Sequence, residues 1–188
     1  MNFSILNIQT DRLVIRPLTF DDYEVWYRAY SERKPSQSAY DDGYIDMIPC
    51  TKTWFEELVL RYRQLADNDE QYIVAIFTQS GRHLGMIDIV TLARANMNWC
   101  ELGYFIHNQE WRQGYASEAL SALIGHLYPC LDFHRIEAHV SLGNDPSRQL
   151  LEKLGFRLEV IREQFMFEDG EWIDKAVYVK NLHSDSLK

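Results

Sequence analysis

Seven short runs of the chain, rich in apolar residues, have the composition and length of strands. In the first run, Leu13 and Ile15 alternate with the residues beside them, and the run ends at Pro17. The dipeptide Asp169-Gly170 separates the last two runs and is a hairpin signal. We expect strands at residues 11–17, 72–77, 84–92, 99–107, 135–140, 156–167 and 172–179.

Four other segments repeat apolar residues every three or four positions, which is the spacing of a helix with one buried face. The first follows Thr19, a capping residue that precedes two aspartates. The last ends before Gly155, a residue type common at helix C-terminal caps. The predicted helices cover about residues 19–30, 52–66, 115–127 and 146–154, and residues 31–50 are expected to form a long polar loop or short helical pieces.

The order β, α, α, β, β, β, α, β, α, β, β predicts a mixed α/β (α+β) fold. A mostly antiparallel sheet is interrupted at residues 99–140 by a strand–helix–strand crossover, which makes two strands parallel. Ligands in such sheets bind where neighbouring strands diverge, so we expect a binding site at the mouth of the crossover. No repeat or Pro/Gly linker divides the sequence, and we expect a single domain over residues 1–188 with a core at about 10–180.

Composition excludes several classes of protein. With 46% hydrophobic and 25% charged residues among 188, the chain is expected to be globular rather than disordered. It has no basic leader with a long apolar run and no stretch of about 18 apolar residues, so we expect a cytoplasmic protein that does not enter a membrane. The three cysteines form no CxxC pair, and nothing indicates a disulfide framework or a metal site.

Charge narrows the choice of partner. The formal net charge of −9 argues against binding to nucleic acid phosphates. It favours a cationic acceptor, such as an amine or a basic protein, through long-range attraction. The alternative reading is that the acidity only keeps the protein in solution.

Residues 101–119 predict a strand, a turn centred on Arg112–Gly114 and the first turn of a helix. A helix N-terminus exposes unpaired N–H groups and a partial positive charge, which suit a phosphate group. Gly114 would allow a ligand to approach the backbone, Ala116 keeps the mouth shallow, and Arg112 adds a cation. A plain tight turn is the alternative, whereas a P-loop is excluded because GxxxxGK(S/T) is absent.

Three further segments follow this turn: RIEAHV at residues 135–140, NDPS at 144–147 and LEKLGF at 151–156. Together with the glycine turn they strongly resemble the GNAT (Gcn5-related N-acetyltransferase) superfamily. The resemblance runs from about Thr10 to Tyr178, and it includes the opening DRLVIRPLTFDD and the late GEWID. It therefore covers nearly the whole chain.

The phosphate-loop pattern of that superfamily is Q/R-x-x-G-x-G/A, and it matches WRQGYA at residues 111–116. The sequence departs from the pattern at its first position, where Trp111 replaces the usual Gln or Arg. A tryptophan there, followed by YASEA, is similar to the RimJ/RimL type, the branch of ribosomal-protein N-terminal acetyltransferases.

The resemblance implies a sheet with a splayed parallel strand pair, acetyl-CoA as co-substrate, and direct transfer of the acetyl group to a bound primary amine. In that family the strand before the turn binds the pantetheine arm through its backbone, and a backbone N–H near Phe105 or Ile106 would stabilise the developing oxyanion. Asn144 would contact the cofactor or the channel wall. The implied pantetheine stretch is Tyr104, Phe105, Ile106 and His107, and the implied pyrophosphate turn is Arg112, Gln113, Gly114, Tyr115, Ala116 and Ser117.

The resemblance also implies a modest general base, because attack requires a neutral amine and an α-amino group has a pKa of about 8. Glu101 is the first candidate and Glu137, on the neighbouring strand, is the second. Water alone could also serve, with Glu101 a solvated carboxylate. Many relatives protonate the departing thiolate with a tyrosine seven residues after the asparagine, where this chain has Leu151. Ser147 is then the predicted thiol-side donor, unless its hydroxyl only satisfies a local amide.

The sequence leaves the acceptor open. In relatives the loop matching residues 34–49 lines the acceptor cleft, and here its side chains suit a cation, unless the loop is simply solvated. The leading hypothesis is an N-terminal α-amine of a ribosomal or other protein. The alternatives are a small amine (an antibiotic, polyamine or amino-acid derivative) and a non-catalytic acyl-CoA-binding module. A homodimer is common in the branch. The acidic and aromatic residues of the loop are Tyr40, Asp41, Asp42, Tyr44 and Asp46.

Overall fold

A computed structural model of the chain describes residues 6–182. The backbone divides into two compact units, each built from segments that are distant along the chain. The first unit runs to Ile89 and takes up Tyr104–Leu123, and the second comprises Val90–Gly103 and the chain from Ile124 onwards. The single domain expected over residues 1–188 stays a prediction. Within residues 6–182, no helix is long and apolar enough to cross a membrane.

Strands and helices follow the predicted order, with one additional short strand at the start. The strands are β1 (Ile8–Gln9), β2 (Leu13–Arg16), β3 (Gln71–Thr78), β4 (His83–Ala93), β5 (Trp99–Ile106), β6 (Arg135–Ser141), β7 (Arg157–Glu168) and β8 (Glu171–Asn181). The helices are α1 (Tyr23–Ser31), α2 (Lys52–Asp67), α3 (Tyr115–Leu131) and α4 (Asp145–Lys153), and short 3-10 turns lie at Phe20–Asp22 and Asn108–Glu110.

Neighbouring strands in the sheet follow the order β1-β2-β3-β4-β5-β6-β8-β7. The pairs β1–β2, β2–β3, β6–β8 and β7–β8 are antiparallel, whereas β5 and β6 are parallel. The parallel strands are joined through α3, as a crossover requires. The predicted mixed α/β fold, with a mostly antiparallel sheet and one parallel pair, is therefore confirmed.

In the first unit, aromatic side chains of α1 and α2 form the centre of the core. Trp26 and Phe55 lie with their ring centroids 4.9 Å apart, and both are buried. Burying one such side chain contributes about 1.5–3 kcal/mol. The helix α2 begins at its predicted position because Thr51 accepts the N–H of Trp54 and caps it. The other buried members of this core are Leu18, Met47, Val59, Ile73, Ala75, Phe77 and Met86.

In the second unit, β8 lies between β6 and β7 and buries a run of apolar residues. The hairpin joining β7 to β8 turns at Asp169 and Gly170, which have φ values of 51° and 90°. Two successive residues with positive φ suit the tight hairpin turn that the Asp-Gly dipeptide predicts.

The helix α3 ends four residues later than predicted. Its buried stripe continues past Leu127 to Leu131, four positions on, so the last turn still has an apolar face to bury. Pro129 lies inside this turn and costs it one backbone donor. The short strand β1, which pairs with β2, was not predicted because two residues carry no periodicity.

Candidate active site

The turn between β5 and α3 lies in the first unit and holds two residues in the left-handed backbone region. Arg112 has φ 62° and Gly114 has φ 79°. A Cβ added to Gly114 would meet the guanidinium of Arg12 at 3.4 Å, the far end of a flexible side chain, and would clash with no backbone atom. A bond from Glu118 N–H to Gly114 O opens the helix, and the amides of residues 115–117 therefore lack acceptors inside it. Such a turn can hold a phosphate group.

Residues from the start of the chain brace this turn. Arg12 donates to the carbonyl of Gln113 at 3.0 Å and pairs with Glu118 at 2.6 Å, while Thr10 donates its hydroxyl to the same carboxylate. Burial alone raises the pKa of Glu118, but these hydrogen bonds outweigh burial and lower it. The sequence did not predict these contacts, because Arg12 and Glu118 are 106 positions apart. The available signal was an acidic residue in the first turn of α3, where the helix dipole favours it.

Trp111, the position that departs from the phosphate-loop pattern, also anchors the turn. Its indole N–H donates to the carbonyl of Ile106 at 2.7 Å. One residue earlier, Glu110 pairs with Arg82 at 2.6 Å and accepts from Gln113 at 3.1 Å. The tryptophan therefore ties the turn back to the end of β5.

The end of β5 passes close to a glycine of β4. A Cβ on Gly85 would lie 2.1 Å from the carbonyl oxygen of Phe105 and 2.9 Å from Cα of Ile106. Any larger residue would displace this backbone, so Gly85 sets the position of the predicted pantetheine stretch. Sequence reasoning missed it, although a glycine inside a predicted strand is a general signal of close backbone approach.

His107 belongs to the predicted pantetheine stretch, but its groups are used inside the protein. Its N–H donates to Leu84 O at 2.9 Å, and its carbonyl accepts from Glu110 N–H at 2.8 Å. Its imidazole is fully buried. Both backbone groups of His107 therefore have partners within the protein, and the role of Tyr104–His107 in binding the pantetheine arm stays a prediction.

The ring of His107 is part of a row of buried side chains that begins at Arg33. Because Arg33 can only donate, its 3.5 Å contact makes Nδ1 of His107 the acceptor. Nε2 of His107 then donates to Nδ1 of His83 at 3.1 Å, and Nε2 of His83 lies 3.2 Å from the sulfur of Met86. Burial lowers the pKa of His83 to about 3 and that of His107 to about 2, so both rings are neutral.

Asp41, one of the loop side chains expected to suit a cationic acceptor, is committed to contacts inside the protein. Its buried carboxylate pairs with Arg33 at 2.8 Å, accepts from Asn108 at 2.9 Å, and accepts two backbone N–H groups of its own loop. Burial alone raises the pKa of Asp41, but these donors outweigh burial and lower it. Asp41 therefore holds the loop rather than facing a ligand. Among the acidic and aromatic residues of this loop, those that are exposed are Tyr40, Asp42, Tyr44 and Asp46.

Asn108 fastens the same loop to the segment after β5. Its side-chain oxygen accepts the N–H of Lys34 at 2.8 Å, and its side-chain nitrogen donates to the carbonyl of Lys34 at 2.8 Å. The side-chain amide of Asn108 therefore bonds both backbone polar groups of Lys34. The start of the loop is therefore fixed to the 3-10 turn that leads into the glycine turn.

The two candidate bases lie in the second unit, opposite each other. Glu101 and Glu137 are register partners across the parallel pair, so their side chains share one face of the sheet, and His139 shares it two residues on. Nδ1 of His139 lies 3.0 Å from Oε1 of Glu101 without a well-directed hydrogen bond. Its Nε2 lies 2.6 Å from Oε1 of Glu137. The pairing of β5 with β6 stops at these two glutamates, although both strands continue.

The two carboxylates differ in exposure and in partners. The Glu101 side chain is 27% exposed, whereas that of Glu137 is fully buried. Glu137 also pairs with Arg162 at 2.9 Å and with Arg135 at 3.4 Å. Sequence reasoning missed His139; the pattern Glu-x-His on a strand was the signal, because residues two apart share a face.

Asn144 caps the N-terminus of α4, and its side-chain oxygen accepts the N–H of Ser147 at 3.4 Å. Ser147 is half-buried in the first turn, and Leu151 is fully buried one turn later. An apolar group therefore occupies the position of the tyrosine found in many relatives. In the part of the chain that the structure describes, no group of three or more His, Cys, Asp and Glu side chains could hold a metal ion.

Comparisons with known proteins extend these observations. A family model described as "Acetyltransferase (GNAT) domain" matches residues 12–157. The [Ribosomal protein uS5]-alanine N-acetyltransferase of Escherichia coli is 28% identical over 189 residues, covering 94% of this chain and 91% of the relative.

Two solved structures are similar over most of the chain. A candidate ribosomal-protein-serine acetyltransferase from Vibrio cholerae has a TM-score of 0.73 and 26% identity, covering 94% of this chain and 97% of its own. RimJ of Mycobacterium smegmatis, solved in complex with CoA-disulfide, has a TM-score of 0.75 and 22% identity, covering 93% of this chain and 83% of its own. At that identity, the second likeness concerns the fold.

Proposed function

The chain belongs to the GNAT acetyltransferase family and is an N-acetyltransferase that uses acetyl-CoA, and from this premise we propose that its acceptor is a protein N-terminal α-amine. The observation that carries this choice is the similarity to the Escherichia coli ribosomal-protein alanine acetyltransferase over 94% of the chain. The acceptor would be a ribosomal or other protein whose N-terminus begins with a small residue such as alanine or serine.

The glycine turn supports the donor half of the proposal. Acetyl-CoA supplies the acetyl group as a thioester, and its pyrophosphate would lie on the amides of Arg112–Ser117. The observation that fits this group is that no backbone atom crowds Gly114, together with the helix N-terminus that follows. The backbone of Tyr104–Ile106 would bind the pantetheine arm, and Asn144 would contact the cofactor or line its channel.

Differences between the two glutamates support Glu101 as the general base. Glu137 is fully buried and holds three cationic or donor side chains, whereas Glu101 is part-exposed and keeps Oε2 outside its contact with His139. On this proposal Oε2 takes a proton from the acceptor amine as the N–C bond forms and the C–S bond breaks. Glu101 lies on β5.

The remaining two roles concern charge that develops on oxygen and sulfur. A backbone N–H near Phe105 or Ile106 would stabilise the developing oxyanion, because a donor fixed in place needs no reorganisation. Ser147 would donate a hydrogen bond to the departing thiolate and keep its own proton. The buried Leu151 in the next turn has no hydrogen-bond donor in its side chain.

Localisation and assembly complete the proposal. We place the enzyme in the cytoplasm, and the absence of disulfides among Cys50, Cys100 and Cys130 suits a reducing compartment. A homodimer stays a prediction. The edge strand β7 and its neighbour support it, because exposed apolar side chains on such a strand suit cover by a second copy. These side chains are Leu158, Val160, Ile161, Phe165, Phe167 and Trp172.

The test supplies acetyl-CoA with a panel of amines and follows free CoA thiol, with mass spectrometry to locate the acetyl group. Peptides beginning with alanine or serine should release thiol and carry the acetyl group on the α-amine. A matched peptide with a blocked N-terminus and an internal lysine is the control. Acetylation of polyamines alone would overturn the acceptor proposal. If acetyl-CoA raises the melting temperature but no amine releases thiol, the chain is a non-catalytic binding module.

The base is tested with Glu101→Gln, which keeps the shape of the side chain but cannot take the proton. We expect kcat to fall at least about 100-fold, as for loss of a general base. The Kd of acetyl-CoA should stay unchanged. The matched control is Glu171→Gln, which alters an exposed glutamate at the start of β8 and should leave kcat as it is.

A further inference from the structure

Three ionisable side chains form a row on one face of the parallel strand pair. The row runs from the part-exposed Glu101 through His139, whose side chain is 6% exposed, to the fully buried Glu137. Arg162 from β7 lies 2.9 Å from the Glu137 carboxylate and 3.4 Å from Nε2 of His139. The ring of Phe165 packs edge-on against the imidazole, with centroids 5.0 Å apart. The imidazole of His139 is thus enclosed by Glu101, Glu137 and the ring of Phe165.

The contacts of His139 determine its protonation. Both ring nitrogens face carboxylate oxygens, which can only accept. A neutral imidazole would turn a lone pair towards one of them, whereas an imidazolium offers an N–H to each. Burial and the charge of Arg162 disfavour the cation, but the contacts with Glu101 and Glu137 outweigh burial and raise the pKa of His139.

We propose that His139 is a positioning residue for acetyl transfer: the Nδ1 side of its ring, 3.0 Å from Oε1 of Glu101, holds that carboxylate as an ion pair, and this orients Oε2 towards the acceptor amine. The inference rests on the proposed role of Glu101 as general base. Glu137 fixes the other side of the ring, so the imidazole cannot rotate away. His139 touches no substrate and keeps its proton throughout, since the proton of the amine goes to Glu101.

Two variants separate the two sides of the ring. The amide of His139→Asn can place an N–H where Nδ1 lies, and that of His139→Gln can place one where Nε2 lies. We expect the Asn variant to keep kcat within a few-fold, and the Gln variant to lose roughly tenfold, a part of what a general base contributes. The KM for acetyl-CoA should not change in either.

The opposite ranking would overturn the proposal. If His139 only supported Glu137 and the fold, Gln would be the better replacement and Asn the worse. The matched control is His134→Gln, just before β6, where Nδ1 lies 2.8 Å from the carbonyl of Leu182. That variant should have the kcat of the unaltered protein.

A double variant separates this inference from the proposed function beneath it. If His139 acts through Glu101, adding His139→Gln to Glu101→Gln should lower kcat no further. Losses that multiply would show that His139 acts on its own and would overturn positioning. A Glu101→Gln variant with full kcat would instead remove the base itself. A normal loss in Glu101→Gln with full kcat in His139→Gln would overturn only the role of His139.

A further measurement leaves His139 itself unaltered, so its result does not depend on whether a His139 variant folds. In the full chain, the ring of His139 is titrated by NMR before and after Glu101→Gln. Loss of the carboxylate should move the midpoint of His139 to lower pH, because one of the charges that hold its proton is gone. An unchanged midpoint would show that the two side chains are not coupled, and the proposal would fail.

Discussion

Buried histidines occur in both units of the molecule, and their pKa values are shifted in opposite directions. In the first unit, His83 and His107 are neutral, with pKa values lowered to about 3 and about 2. In the second unit, His139 has a raised pKa. Burial penalises the charged ring in both places, so burial does not explain the difference.

The partners explain it. His107 accepts a hydrogen bond from Arg33, a group that can only donate, and donates its own N–H to His83. His139 lies between two carboxylates, which can only accept. The first arrangement needs an uncharged ring with one lone pair free to accept, and the second needs a ring with two N–H groups. One residue type therefore serves as a structural link in one unit, whereas in the other we propose that it supports a candidate base.

The largest expected effect comes from removing the carboxylate that balances Arg33. In Asp41→Ala, the guanidinium stays buried beside His107 with no opposite charge, and breaking such a pair costs about 3–5 kcal/mol. We expect the free energy of unfolding in urea to fall by this amount. The variant tests what keeps His107 and His83 neutral, because the row of buried side chains from Arg33 to Met86 begins at this ion pair.

An exposed ion pair is the control for that variant. Asp145 pairs with Arg148 at 3.2 Å with 69% of its side chain exposed, and Asp145→Ala should cost less than about 1 kcal/mol. If Asp41→Ala were no more destabilising than this control, Arg33 would have another way to satisfy its charge. The Arg33–Asp41 ion pair would then not be what supports the neutral rings of His107 and His83.

The next effect in size is a loss of stability in mild acid. The folded-state pKa values of His83 and His107 lie below the ordinary value of about 6.5, so the unfolded chain binds more protons and stability falls as pH falls. The loss should reach about 1.4 kcal/mol for each ring by about pH 5.5. It should continue until the folded-state values are reached. Urea unfolding at a series of pH values measures it.

Two features of the chain bear on that measurement. The carboxylates with lowered pKa, such as Asp22 and Asp41, titrate at still lower pH and leave this window clear. His139 changes stability in the opposite direction, so the measurement is sharpest in a His139→Asn background. A stability that stays constant from neutral pH down to about pH 5.5 in that background would contradict neutral, buried rings at positions 83 and 107.

Much of the fold could be predicted because it depends on local patterns. The apolar stripe of α3, the cap at Thr51 and the Asp169-Gly170 hairpin each act within a few residues of sequence. The crossover followed from the order of strands and helices. The glycine turn before α3 was predictable for the same reason, since its geometry depends on Gly114 and the helix start beside it.

The parts that could not be predicted depend on pairing between distant strands. His139 meets Glu101 only because β5 and β6 pair in the register that sets Glu101 opposite Glu137. A shift of one residue would turn Glu101 to the other face. The same holds for Arg12 and Glu118, and for Asp41, whose acidic surroundings in sequence suggested an exposed side chain. Composition reports what a segment contains, whereas burial depends on which distant residues reach it.

The smallest expected effect is the change with pH in what His139 contributes to the free energy of unfolding. Because the pKa of His139 is raised, its contribution to stability is fully present below the ordinary value of about 6.5 and is lost as pH rises through the folded-state value. The stability difference between the unaltered protein and His139→Asn should therefore shrink as pH rises above neutrality, the reverse of the trend for His83 and His107. A difference that grew with pH would mean that His139 is held neutral, and the contrast between the two units would disappear.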